Sequence, residues 1–247
     1  MKRFTNKVVV VTGGTAGIGF ATAQRFVAEG AHVVVCSRKQ EMVDSVSRAL
    51  HCDGVMCNVS NQSDREKLFE FVKEKYGRVD VLVLNVATSL AFGSSLDCSE
   101  AAWDKMMSTN VKSTWLLSTM FYPIITGGSG SIVIVSSYAG YNPGIPLGPY
   151  GITKTALLGV TRMLANEFGR SKGVRVNCVA PGVIKTKFSS ALWDSQEIRK
   201  HTEDASPLGR IGDPQEVAGP ITFLASADAS YICGETIVVA GGTYCKL

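Results

Sequence analysis

No stretch of this chain approaches the ~20 consecutive apolar residues of a membrane-spanning helix, although 45% of its 247 residues are hydrophobic. The apolar content is therefore material for a core, and the length suffices for one large α/β domain or two small ones. An excess of either charge is missing too: 25 Lys and Arg stand against 21 Asp and Glu, a net +4. A balance that slight leaves no electrostatic footprint for nucleic acid or a membrane surface. Histidine is scarce, at three residues, and the seven cysteines are odd in number and contain no C-x-x-C pair. That argues against a disulfide framework and for free thiols in a reducing compartment. His51, Cys52 and Cys57 lie near one another, but no fourth ligand follows at a zinc spacing, so no metal is expected. The opening MKRFTNKVVVVTGG places basic residues before an apolar run, as a secretory signal would. The run is too short for one and enters a glycine loop, so that reading is rejected.

What is present is a repeated alternation of short β-branched runs and helical patterns, without linker or internal repeat. Lys7 to Thr12 (KVVVVT) reads as a strand buried on both faces. It opens into Gly13-Gly14-Thr15-Ala16-Gly17-Ile18-Gly19, then a helical pattern to Gly30, then a second apolar run from His32 to Cys36. Glycines at such a strand-to-helix turn let the backbone approach a pyrophosphate, and the helix N-terminus presents free N–H groups to it. Further strands are expected at Val55 to Cys57, Asp80 to Leu84, Ile132 to Val135, Val174 to Val179 and Glu235 to Val239. Helices are expected over Gln40 to Leu50, Ser63 to Tyr76, Ser99 to Tyr122, Tyr150 to Ser171 and Pro214 to Ala225, with a mobile helical flap from Leu192 to Asp204. Alternation of this kind predicts one doubly wound sheet of seven strands, whose ligand lies at the carboxyl ends. The glycine loop, Arg38, Asn85, Ser137 and Pro181-Gly182 all fall at those ends.

Two places indicate chemistry. After the second strand an NAD-binding chain would carry Asp or Glu for the ribose 2′-hydroxyl, but this one carries Cys36-Ser37-Arg38-Lys39. A carboxylate would repel a 2′-phosphate and a guanidinium can grip one, so the expected cofactor is NADP(H). Tyr150 and Lys154 stand four apart at the start of a helix, which sets phenol and ammonium on one face. A neighbouring cation favours phenolate, so Tyr150 is expected to have a lowered pKa and to act as general acid/base, with the Ser137 hydroxyl beside it to hold a carbonyl oxygen.

With these positions set, the chain resembles the short-chain dehydrogenase/reductase family over essentially its whole length. The matching motifs are Thr12-Gly13-x-x-x-Gly17-Ile18-Gly19, Asn110, Ser137, Tyr150-x-x-x-Lys154, and Pro181-Gly182 followed by Thr186, with Ser137 standing 13 residues before Tyr150. The resemblance implies a Rossmann-type, mainly parallel sheet with helices on both faces in a single domain spanning residues 1–247, including a flexible flap at about 187–210 and a tail at 242–247. It implies a catalytic tetrad of Asn110, Ser137, Tyr150 and Lys154, with Tyr150 protonating the carbonyl oxygen, Lys154 also holding the nicotinamide ribose, and Asn110 anchoring a relay water. The implied cofactor contacts are Gly13, Thr15, Gly17, Ile18 and Gly19, then Ser37, Arg38 and Lys39, then Asn58 and Val59. Asn85 and Ala87, Tyr150 and Lys154, and Pro181, Gly182, Ile184 and Thr186 complete the set. Two departures stand out: the family's Asn-Asn-Ala-Gly is here Asn85-Val86-Ala87-Thr88, and its Asp after the third strand is Asn58.

Within the family the likeness is to peroxisomal NADPH-dependent carbonyl/retinal reductases, carried by Cys36 to Gln40, Pro149 to Gly159, Ala180 to Thr186 and Asp228 to Glu235. Such enzymes reduce α-dicarbonyls, aromatic ketones and retinal-like carbonyls, usually as homotetramers. The ending Cys245-Lys246-Leu247 is similar to the peroxisomal Ser-Lys-Leu address, which implies an import receptor as partner and a peroxisomal location, with the cytoplasm as alternative. A substrate pocket is expected from Phe92, Tyr138, Tyr141, Ile145, Leu147, Ile184, Phe188, Leu192 and Trp193, with no Lys or Arg placed to hold a carboxylate. That composition favours a hydrophobic ketone or aldehyde over a short keto acid. A 3-oxoacyl-carrier-protein reductase shares every motif, and Lys185, Lys187, Arg199, Lys200 and Arg210 leave it open. A non-catalytic cofactor-binding scaffold is the remaining alternative.

Overall fold

The computed structural model describes residues 2–243, so the terminal tripeptide Cys245 to Leu247 lies outside the described residues. Strands β1 (Val8–Thr12), β2 (His32–Ser37), β3 (Asp53–Met56), β4 (Val81–Leu84), β5 (Ser131–Val135), β6 (Arg175–Pro181) and β7 (Thr236–Val239) form one sheet. All neighbours pair in parallel, in the order β3-β2-β1-β4-β5-β6-β7. The doubly wound α/β architecture expected from the alternation is thus present, and the sheet is parallel throughout.

The unbroken apolar runs make sense once both faces of the sheet are covered. Val8 and Val10 of β1 point into one core cluster, and Val9 and Val11 point into the other. Ile132 and Ile134 against Val133 and Val135 repeat the division in β5. The first cluster is closed by α3 (Gln62–Tyr76), α5 (Ser113–Phe121) and α6 (Gly148–Lys172), through Leu68, Phe121 and Leu157. The second is closed by α1 (Gly17–Ala28), α2 (Gln40–Leu50) and α8 (Pro214–Ala225), through Phe26, Leu50 and Ile221. The order of strand addition reverses between β1 and β4, with β2 and β3 added on one side and β5 to β7 on the other, which opens a crevice at their carboxyl ends.

Two expectations are corrected. The single helix from Ser99 to Tyr122 is instead α4 (Glu100–Met106), a π-helical turn (Met107–Lys112) and α5. Within this segment Ser113, Thr114 and Ser118 donate to the carbonyls of Thr109, Asn110 and Thr114, at 2.6, 2.8 and 2.9 Å. Side-chain bonding of that kind competes with the regular ladder, and the wide turn lies beside the cleft. The flap is likewise divided, into a 3₁₀ turn (Lys187–Leu192) and α7 (Gln196–Asp204), whose N-terminus is capped by Ser195.

Candidate active site

A cleft of about 580 Å³ lies over the carboxyl ends of β1, β2, β4, β5 and β6. Its floor begins where β1 ends. Gly13 turns the chain at φ +64°, and a Cβ on Gly19 would stand 2.1 Å from the Gly13 carbonyl oxygen. Only a residue without a side chain lets the first turn of α1 pack this closely on the strand end. Residue Ala16 precedes α1 and no side chain caps it, so its first N–H groups are available at the cleft. A backbone cradle, a positive helix end and nothing to fill them suit the pyrophosphate of a dinucleotide.

Gly13, Thr15, Gly17 and Ile18 line the cleft, and Gly19 acts behind them through clearance. Ser37 and Arg38 follow at the end of β2, whereas Lys39 does not reach the cleft wall. The Arg38 guanidinium is exposed and makes no ion pair or hydrogen bond among the described residues. Asn58, Val59, Asn85 and Ala87 line the same end. The Asn85 amide, however, donates to the carbonyls of Thr12 and Gly13 at 3.2 and 3.4 Å, tying the β1 and β4 loops together. Pro181 at the end of β6, with Gly182, Ile184 and Thr186 after it, also lines the cleft.

The strand end of β5 and the first turn of α6 bring Ser137, Tyr150 and Lys154 together, all three buried and all on the cleft. Proline at the first turn of α6 sets its start just ahead of Tyr150. Lys154 Nζ donates to the Val135 carbonyl at 2.8 Å and lies 5.5 Å from the centre of the Tyr150 ring. Burial holds the ammonium pKa down at about 8. Burial also pushes the Tyr150 phenol well above its ordinary value, against a downward pull from the Ser137 hydrogen bond, with an upward contribution from Tyr138. The lowered phenol expected from the Tyr–Lys spacing is therefore not what the protein alone produces. The ammonium faces a carbonyl, and desolvation of the phenolate dominates.

Asn110 is fully buried and does not line the cleft. Its Oδ1 accepts from Thr88 N at 2.8 Å, and Nδ2 donates to Thr88 O and Thr153 Oγ1, each at 2.9 Å. Thr153 in turn donates to the Tyr150 carbonyl at 2.7 Å. The side chain thus braces the β4 loop against the turn that carries Tyr150, with both amide donors engaged.

Of the expected substrate pocket, Phe92, Tyr138, Leu147, Ile184, Phe188 and Leu192 line the cleft. The Phe188 ring stands 5.9 Å from that of Tyr150. Tyr141, Ile145 and Trp193 do not line it. Ile145 is 86% exposed on an outer loop, Tyr141 packs against the core, and the Trp193 indole donates to Ser189 at 3.1 Å. Two lysines also line the cleft, Lys105 of α4 and Lys187, which corrects the expectation of a pocket with no Lys or Arg beside it. Lys187 follows Thr186 directly in the sequence, whereas Lys105 comes near the site only through the packing of α4. Among the described residues no three His, Cys, Asp or Glu side chains gather as a metal site, and no helix is long and apolar enough to cross a membrane.

This fold and crevice define a dinucleotide-binding oxidoreductase of the Rossmann type. The family model described as enoyl-(acyl carrier protein) reductase matches residues 13–244. Dehydrogenase/reductase SDR family member 4 of Bos taurus is 48% identical over 98% of this chain and 88% of its own length. The human mitochondrial SDR family member 2 is 46% identical over 96% of this chain and 86% of its own. Among solved structures, a short-chain dehydrogenase/reductase from Brucella melitensis described as a glucose/ribitol dehydrogenase superposes with TM-score 0.93 at 34% identity, covering both chains completely. The chain belongs to the short-chain dehydrogenase/reductase family, a family of nicotinamide-dependent oxidoreductases.

Proposed function

We propose that the protein is an NADPH-dependent carbonyl reductase acting on hydrophobic ketones and aldehydes, α-dicarbonyls and aromatic ketones foremost and retinal-like carbonyls next. The observation that carries this reading is a buried, protonated Tyr150 phenol beside Ser137, facing an apolar wall of Leu147, Phe188 and Leu192. A bound nicotinamide dinucleotide supplies the hydride. Ser137 and Tyr150 donate hydrogen bonds to the substrate oxygen, and Tyr150 delivers the proton as negative charge develops there. A phenol held protonated through neutrality is suited to the reductive direction. Lys154 remains largely cationic at neutral pH and holds the cofactor's sugar hydroxyls from the floor of the cleft. Asn110 serves as a positioning residue, through Thr153.

Arg38 supports NADPH over NADH, because an unpaired guanidinium at the end of β2 is free for a 2′-phosphate. Replacing it by Glu is expected to lower kcat/KM with NADPH by about 100-fold, the loss of a charge-assisted contact plus repulsion, and to lower that with NADH little. Steady-state rates with the two cofactors check this, and an unchanged preference would remove Arg38 from the reading.

The function itself is tested by NADPH and NADH oxidation over aryl diketones, aryl monoketones, retinal, pyruvate and an acetoacetyl thioester. NADPH-dependent turnover of diketones is expected, and preference for pyruvate would sink the apolar-pocket reading. Turnover of the thioester alone would place the protein among the acyl-carrier reductases, a reading favoured by Lys105 and Lys187, which line the cleft and make no ion pair among the described residues. Against it, Arg199 is paired with Glu203 at 2.8 Å and Arg210 with Glu216 at 2.6 Å, leaving a thinner basic surface for an acidic carrier. Inactivity across the panel would revive the scaffold.

A homotetramer belongs to the same proposal, supported by exposed Trp103, Trp115, Ile152 and Met163 on α4, α5 and α6. So does peroxisomal import through Cys245-Lys246-Leu247, supported by the tripeptide alone.

A further inference from the structure

Ser137 caps a short turn, accepting from Ala139 N at 3.2 Å, and the turn seats Tyr138 on the cleft wall. Its backbone is fixed on both sides, with Gly140 N donating to Ser137 O and Tyr141 N to Tyr138 O, each at 3.0 Å. Polar groups around it are otherwise committed. Ser136 donates to Lys154 O at 2.8 Å, Lys154 to Val135 O at 2.8 Å, and Ser137 is shared between Pro181 O and Tyr150. Across the cleft, the Ser189 hydroxyl donates to Ile184 O, and that of Ser89 to Ala91 O at 3.4 Å. The Tyr138 hydroxyl alone of this group has no hydrogen-bond partner among the described residues. Partial burial holds it neutral, and it lies close enough to Tyr150 to oppose ionisation of that phenol. Tyr138 lines the same cleft as Ser137 and Tyr150, so a ligand seated against those two meets a phenol whose hydrogen bond no protein group has taken.

We propose that Tyr138 is a specificity-determining residue, donating a hydrogen bond to an oxygen on the carbon next to the reacting carbonyl and so selecting vicinal dicarbonyls over monoketones. The proposal rests on the carbonyl-reductase reading and deepens it. Ser137 and Tyr150 hold the oxygen that is reduced, and Tyr138, the next residue along from Ser137, holds its neighbour. An apolar wall opposite discriminates weakly between two ketones of similar shape, whereas a donor left unpaired by the wrong substrate discriminates more sharply.

The test compares wild type with Tyr138→Phe on an aryl vicinal diketone and on the aryl monoketone of the same size, with NADPH affinity measured separately by fluorescence. The diketone-to-monoketone ratio of kcat/KM is expected to fall about tenfold in the variant, mainly through KM for the diketone. NADPH affinity is expected to stay the same. An equal loss on both substrates, or a ratio unaltered by the substitution, overturns the proposal. A wild type that reduces neither ketone overturns the carbonyl-reductase reading first and this one with it, so the two failures are told apart by the wild-type rates alone.

Discussion

Replacing Tyr150 by Phe is expected to lower kcat/KM for carbonyl reduction by about 1,000-fold, within the range that a positioned general acid contributes. The ring is retained, so its contacts with Phe188 and with the Lys154 ammonium survive. What disappears is the proton donor and one of two hydrogen bonds to the substrate oxygen. The variant should therefore still bind NADPH, read from the fluorescence of the bound cofactor, while turnover collapses. Direction adds a second signature. Burial keeps the phenol protonated well above neutrality, so reduction in the wild type needs no ionisation of Tyr150. Alcohol oxidation needs the phenolate, so its rate should climb as pH rises through the alkaline range while reduction does not climb with it. Retention of a tenth or more of wild-type turnover by the variant would show that another group delivers the proton.

The glycine loop, the Tyr–Lys pair and the strand runs were legible because each depends on local rules. A βαβ unit requires glycine where a backbone approaches closely, and Gly19 shows the requirement directly. Strands buried on both faces leave unbroken β-branched runs. Features set by tertiary packing were hidden. Nothing in a one-dimensional pattern separates a regular helix over Ser99 to Tyr122 from one widened at Asn110, because the bonds to Thr88 and Thr153 cross 22 and 43 residues. Ile145 and Trp193 have the composition of pocket residues, yet the first faces outward and the second is held by Ser189. The Tyr–Lys spacing correctly put the two groups on one face, but the balance of desolvation against charge depends on how deeply both are buried. Spacing carries no information about that.

Lys154 gives the second large effect, and it runs in opposite directions for stability and for activity. Lys154→Met is expected to abolish reduction, since no cation then holds the sugar hydroxyls beside Tyr150, and yet to stabilise the cofactor-free protein at pH 7. The ammonium pKa stands at about 8 in the folded protein against 10.5 in an exposed lysine. Between those values the unfolded chain binds a proton that the folded protein has released, so stability rises with pH through that window. Below pH 8 the whole penalty for burying the charge is present, roughly 3 kcal/mol on the scale of such differences. Methionine removes that penalty. It also strips the Val135 carbonyl of its donor, which costs about 1–2 kcal/mol, so the net gain near neutrality is about 1–2 kcal/mol. For a chain of this length that raises Tm by a few degrees. The advantage should shrink as pH rises above 8 and reverse between about pH 9 and 10, where the remaining penalty falls below the worth of the wild-type hydrogen bond. Thermal melts of both proteins from pH 6 to pH 10.5 read the crossing. A stability difference that does not vary with pH, or a wild type already more stable at pH 7, would mean that the ammonium is solvated rather than buried. A crossing at the expected pH, with reduction lost throughout, would show that the site holds its cation at the expense of the fold.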